Sequence, residues 1–72
     1  MSRAAEFEGM ILDVRGNNQY LVEVAFEGKT KTIVCYLSGK MRQNRISILV
    51  GDKVKVEMPP PYSAGRITYR EK

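Results

Sequence analysis

The sequence predicts an all-β fold, five short strands closing on one core, and three observations predict it. Turn-forming residues punctuate the 72-residue chain at roughly the 8–12-residue spacing of small β domains. The segments between them alternate apolar and polar side chains, which is the period of a strand with one face buried. The stretch 38–44 lacks that alternation and is short enough to hold a single helical turn.

Taken in order, Phe7 to Arg15 is the first strand, and Gly16-Asn17-Asn18 ends it with a cluster of turn formers. In the second, Tyr20 to Glu27, the residues Tyr20, Val22, Val24 and Phe26 share one face and Leu21, Glu23, Ala25 and Glu27 the other. Gly28 then turns the chain as a hairpin into Thr30 to Leu37, rich in Thr, Ile and Val. Ser38 stands at a capping position before good helix formers, so a loop with one helical turn is expected there. Gly51-Asp52 makes the next turn and opens Lys53 to Met58, in which Val54, Val56 and Met58 oppose Lys53, Lys55 and Glu57. Pro59-Pro60-Pro61 cannot donate backbone hydrogen bonds and ends this strand. Gly65 leads into Arg66 to Arg70, whose alternation sets Ile67 and Tyr69 against Arg66, Thr68 and Arg70.

Five strands with a helical turn between the third and fourth form the pattern of a small Greek-key barrel of the OB type. An SH3-like barrel is the competing arrangement and differs in how the sheet closes. Residues 1–72 form one domain, and the ends, 1–6 and 71–72, have too little apolar content to pack and are expected to be flexible.

Composition narrows the function classes. Hydrophobic types make up 43% and charged types 28%, so a soluble folded domain rather than a disordered chain is indicated. Cys35 has no partner for an internal disulfide, which suits a reducing compartment, and the cytoplasm is expected, with a plastid stroma as the other setting. No apolar run is long enough to span a membrane. With no histidine and one cysteine, the usual zinc ligands and the imidazole of most acid-base schemes are missing, so neither a cofactor, a metal nor an enzyme is expected. Cys35 lies between Val34 and Tyr36 and reads as a packed, inert thiol. Asp13, Glu23 and Glu57 read as solvated strand faces. Gly39-Lys40 resembles the end of a phosphate-binding loop, but Val34 and Met41 stand where that motif needs glycine and Ser or Thr.

The net charge of +4 is unevenly placed. Between residues 28 and 51 the chain carries Lys29, Lys31, Lys40, Arg42 and Arg45 and no Asp or Glu. A concentrated positive field of this kind favours a polyanion, nucleic acid or an anionic membrane surface. Lys40, Arg42 and Arg45 lie close together on the helical turn, with Asn44 beside them, and such a finger can neutralise phosphates while its tip enters the wide minor groove of an RNA helix. Tyr36 and Tyr62 are the aromatics placed to stack on an unpaired base. Tyr20, Phe26 and Tyr69 share faces with aliphatic residues and are assigned to the core. Arg66 and Arg70 would extend a positive track over the outside of the last strand.

Ser38-Gly39-Lys40-Met41-Arg42, followed by Asn44, Ile46, Ile48, Gly51-Asp52, Val54, Val56, Glu57, Pro61-Tyr62 and Gly65-Arg66-Ile67, resembles bacterial translation initiation factor 1 over nearly the whole chain. The resemblance implies a five-stranded OB barrel that binds the small ribosomal subunit at its A site, through ribosomal RNA, and assists the other initiation factors. It implies RNA contacts at Lys40, Met41, Arg42 and Asn44 in the finger and at Arg66 and Arg70 on the last strand. The family usually places an arginine between the two isoleucines after the loop; here that residue is Ser47, and Arg45 precedes the first isoleucine. A shift of two residues keeps the face of a strand, so Arg45 can stand in for it. Tyr36 occupies the place of a family histidine, and these departures suggest a divergent or organellar lineage. A monomer is expected, and a cold-shock-type single-strand RNA chaperone is the alternative on the same fold class.

Overall fold

The computed structural model describes residues 5–16, 18–43 and 47–71. Its elements are β1 (Ala5–Arg15), β2 (Gln19–Phe26), β3 (Lys29–Leu37), α1 (Gly39–Gln43), β4 (Lys53–Met58) and β5 (Ala64–Glu71). The strands close into a barrel in the order β1-β2-β3-β5-β4, with β4 returning to β1. All neighbours run antiparallel except β3 and β5, which are parallel. The OB-type barrel is therefore the arrangement that forms, with its helical turn between the third and fourth strands.

Alternation builds the core as the sequence predicts. Val22 and Val24 of β2, Ile33 and Cys35 of β3, and Val54, Val56 and Met58 of β4 all point inward and are buried. Ile11 and Ile67 complete the centre, and each such aliphatic side chain contributes about 1.5–3 kcal/mol relative to leaving it in water. The β2–β3 hairpin turns on Glu27 and Gly28, at φ 52 and 75. Two left-handed residues in succession give the turn whose twist matches that of the flanking strands. At Gly65 the backbone passes so close to β4 that a Cβ would stand 2.6 Å from Val56 Cγ1, so glycine alone fits without displacing the core.

Three partly buried aromatics pack together against this core. Phe7, Phe26 and Tyr62 form a triangle with centroid separations of 5.3, 5.2 and 6.0 Å. Lys31 lies over the Phe26 ring at 5.7 Å and donates to the Tyr62 carbonyl at 3.0 Å. Tyr62 is thereby committed to packing rather than held out as a base-stacking surface.

The last strand departs from simple alternation. Lys55 pairs with Tyr69 and Val56 with Ile67, so Thr68 is the extra residue of a β-bulge, and its hydroxyl donates to the Lys55 carbonyl at 3.4 Å. The insertion reverses the faces beyond it. Tyr69, expected in the core, is 57% exposed. Arg70, expected outside, comes level with the buried Val54 instead. The ends are also longer than expected: Ala5 and Glu6 pair with Met58 and Glu57, and Glu71 pairs with Lys53. Residues 5, 6 and 71 thus lie in strands, while residues 1–4 and 72, the rest of the ends expected to be flexible, lie outside the described residues.

Cys35 is fully buried, and burial pushes its thiol from the ordinary 9.0 up to about 12, with a backbone hydrogen bond from Gly65 opposing the shift. The proton is thus retained in the fold at a pH where the unfolded chain loses it. The stabilisation is complete below about pH 9 and declines as pH rises toward 12. In native protein at pH 8, Cys35 is expected to resist iodoacetamide, and to react at the rate of a free thiol once urea unfolds the chain. Rapid alkylation without unfolding would contradict the packed thiol.

Candidate nucleic-acid interface

The finger begins where β3 ends. Ser38 caps α1: its Oγ accepts from the Met41 amide at 3.2 Å and its carbonyl from the Arg42 amide at 3.0 Å. The Ser38 amide donates to the Ile67 carbonyl at 2.9 Å, so the base of the finger is bonded to β5. Met41 is 3% exposed and Ile48 is buried, and both join the barrel core. On the returning limb the Ser47 carbonyl accepts from Arg70 Nη1 at 2.7 Å. Below it, Asp52 closes a turn by accepting from the Leu49 amide at 2.9 Å, and Gly51 supplies the left-handed backbone at φ +93.

With its apolar side chains directed into the core, the turn presents its cations outward. Lys40 and Arg42 are exposed, and the one ion pair among the described residues is Arg66 with Glu57. No carboxylate therefore quenches the two finger cations among the described residues. Asn44 and Arg45 lie outside the described residues.

Met41 departs from the expectation of an RNA contact, because its burial makes it the anchor of the finger. The reason is tertiary: the Ser38–Ile67 bond sets the turn against β5 with the third position, Met41, toward the barrel, while residues 40 and 42 flank it.

Tyr36 stands on the outer face of β3, 42% exposed. Its hydroxyl accepts from Gln19 Nε2 at 3.1 Å, which orients the ring. Cross-strand register places Arg15, Gln19, Tyr36 and Arg66 in one row across β1, β2, β3 and β5. Arg66 is thus brought beside Tyr36, and one nitrogen of its guanidinium is engaged by Glu57. Arg70 is not in this row. The two arginines assigned to one outer track are separated by the Thr68 bulge, Arg66 facing outward and Arg70, level with Val54, bonded to the Ser47 carbonyl of the loop. Tyr69 is the exposed aromatic that alternation misplaced.

A closed five-stranded barrel with a cationic, core-anchored finger and an exposed, oriented tyrosine defines a small OB-type binding module. Comparison with known proteins makes the assignment narrower. Residues 2–72 match the family model for translation initiation factor 1A / IF-1, and the chain belongs to that family. It is 44% identical over 68 residues to translation initiation factor IF-1 of Aster yellows witches'-broom phytoplasma (strain AYWB), covering 93% of this chain and 83% of that protein. Among solved structures it is similar to the corresponding translation initiation factor of the wolbachia endosymbiont strain TRS of Brugia malayi, at 32% identity and a TM-score of 0.71 over 97% of this chain and 80% of that one. YjeQ from Thermotoga maritima contains a similar barrel, at 28% identity and a TM-score of 0.74, over 94% of this chain and 23% of that one. The circularly permuted GTPase YloQ does so with a TM-score of 0.77, at the same identity and coverage. The chain thus spans less than a quarter of each of these two larger proteins, and the likeness is to their barrel.

Proposed function

We propose that this protein is a non-catalytic initiation factor that binds the small ribosomal subunit at its A site through ribosomal RNA. It there assists the other initiation factors, as a monomer in the cytoplasm. The observation that carries the reading is the finger: Lys40 and Arg42 are held out without carboxylate partners among the described residues, while Met41, Ser38 and Arg70 fix the turn beneath them. A preformed cationic finger loses little conformational freedom on binding, and its charges release counterions from the phosphates they meet. Its size suits the shallow minor groove of a folded RNA helix, where recognition is by shape. Tyr36 supplies a face for an unpaired base beside that helix, with Arg66 next to it. Arg45 and Asn44 extend the same set of contacts, and Arg70 acts by holding the loop.

Co-sedimentation of the full chain with purified small and large ribosomal subunits tests this. Saturable, salt-sensitive binding to the small subunit alone is expected, with binding abolished when the A site is already filled. Equal binding to both subunits, or to an unstructured oligonucleotide as tightly as to the small subunit, would move the function to that of a general RNA chaperone.

A further inference from the structure

β5 carries an exposed aromatic that neither the core nor the finger uses. The Tyr69 ring stands on the outer face of the barrel, level with Lys55 of β4, whose Nζ lies 6.0 Å from the ring centroid. That face is continuous with the one holding Tyr36. Tyr36 is level with Arg66 across β3 and β5, and Tyr69 follows Arg66 along β5; because the Thr68 bulge sets the two opposite Glu57 and Lys55 of β4, the advance is two strand steps, about 7 Å. Arg66 gives one nitrogen to Glu57, which leaves most of its donors to solvent.

Two open rings with a guanidinium between them and an ammonium beside the second suit a single strand of nucleic acid. Bases stack on the rings, which every base can do, and phosphates pass the cations. Tyr69 leaves more than half of its surface to water, so its ring is open to such a base. The track also has a boundary. Glu8 is level with Lys55 and Glu71 with Lys53, so beyond Tyr69 each lysine stands opposite an acid and the excess of positive charge ends there.

We propose that Tyr69 and Lys55 form a second platform, taking an unpaired nucleotide of single-stranded RNA that runs from Tyr36 across β5 to β4. The proposal rests on the RNA-binding reading above and adds to it a surface outside the finger and a ligand class. The test uses the full chain, a labelled short oligouridine followed by fluorescence anisotropy, and isolated small subunits in parallel. Tyr69→Ala is expected to weaken oligouridine binding about 5- to 100-fold, and Tyr69→Phe to stay within about twofold, because the ring and not the hydroxyl stacks. Lys55→Gln should flatten the salt dependence by up to about 0.7 log units per log unit of salt. Unchanged oligouridine affinity in a Tyr69→Ala protein that keeps the wild-type unfolding transition would overturn the platform, as would Tyr69→Phe being as damaging as alanine. So would a wild-type chain that binds small subunits but no oligouridine, an outcome that leaves the finger reading standing. Failure to bind small subunits at all would remove both.

Discussion

Met41→Ala is expected to cost about 2–5 kcal/mol of folding stability, the range for truncating a buried methionine. A domain of this size has roughly 3–5 kcal/mol from its core, so the substitution approaches the whole margin. The effect is large because Met41 belongs to the core although it is carried on the finger. Urea unfolding followed by far-ultraviolet circular dichroism measures it. Met41→Leu, which nearly conserves volume, should lose less than about 1.5 kcal/mol. Under conditions where the alanine variant remains folded, its affinity for small subunits should also fall, because Lys40 and Arg42 flank the missing anchor. A variant with wild-type stability would mean that the finger is not tied to the barrel through this side chain.

Removing the finger charges should have the opposite signature, binding weakened and stability kept. Lys40→Ala with Arg42→Ala is expected to weaken small-subunit binding on the order of 100-fold at low salt, from two charge-assisted hydrogen bonds to phosphate. The slope of log affinity against log salt should fall by roughly 1.4–1.8, at 0.7–0.9 for each phosphate no longer neutralised. Both residues are exposed and outside any ion pair among the described residues, so the unfolding midpoint should hardly move. Affinity measured at two salt concentrations separates this outcome from misfolding. An unchanged slope would show that neither side chain meets a phosphate, and would leave the row through Tyr36 and Arg66 as the contact surface.

The contrast between these two variants separates what local reading supplies from what it misses. Ser38 is legible as a cap because Ser precedes a run of helix formers, and Lys40 and Arg42 are legible as a positive field because no acid lies near them in sequence. Met41 is not legible as an anchor in the same way. A five-residue turn is too short to show a period, and which of its sides meets the barrel depends on how β3, β5 and the Ser38–Ile67 bond orient it. Family resemblance placed Met41 with the contact residues for the same reason: position in a motif does not distinguish a side chain that touches the ligand from one that supports it.

Glu57 and Arg66 show a related limit. Each reads as a solvated charge on its own strand, and only the β4–β5 register sets them opposite one another and forms their ion pair. That pairing lowers the free charge near Tyr36 without removing it.

What the sequence determined by itself is whatever neighbouring residues settle among themselves: the alternation of β2, β3 and β4, the hairpin at Gly28, the break at the prolines, and the charge of the finger. The tertiary structure alone decided the quantities that depend on a partner far along the chain. The bulge at Thr68 is the clearest of them, since it exists only relative to the carbonyl of Lys55 and the spacing of β4. One residue inserted into a ladder of period two exchanges the faces of everything after it. For that reason Tyr69 stands in solvent and Arg70 holds the loop, although strict alternation along the strand places each on the other side.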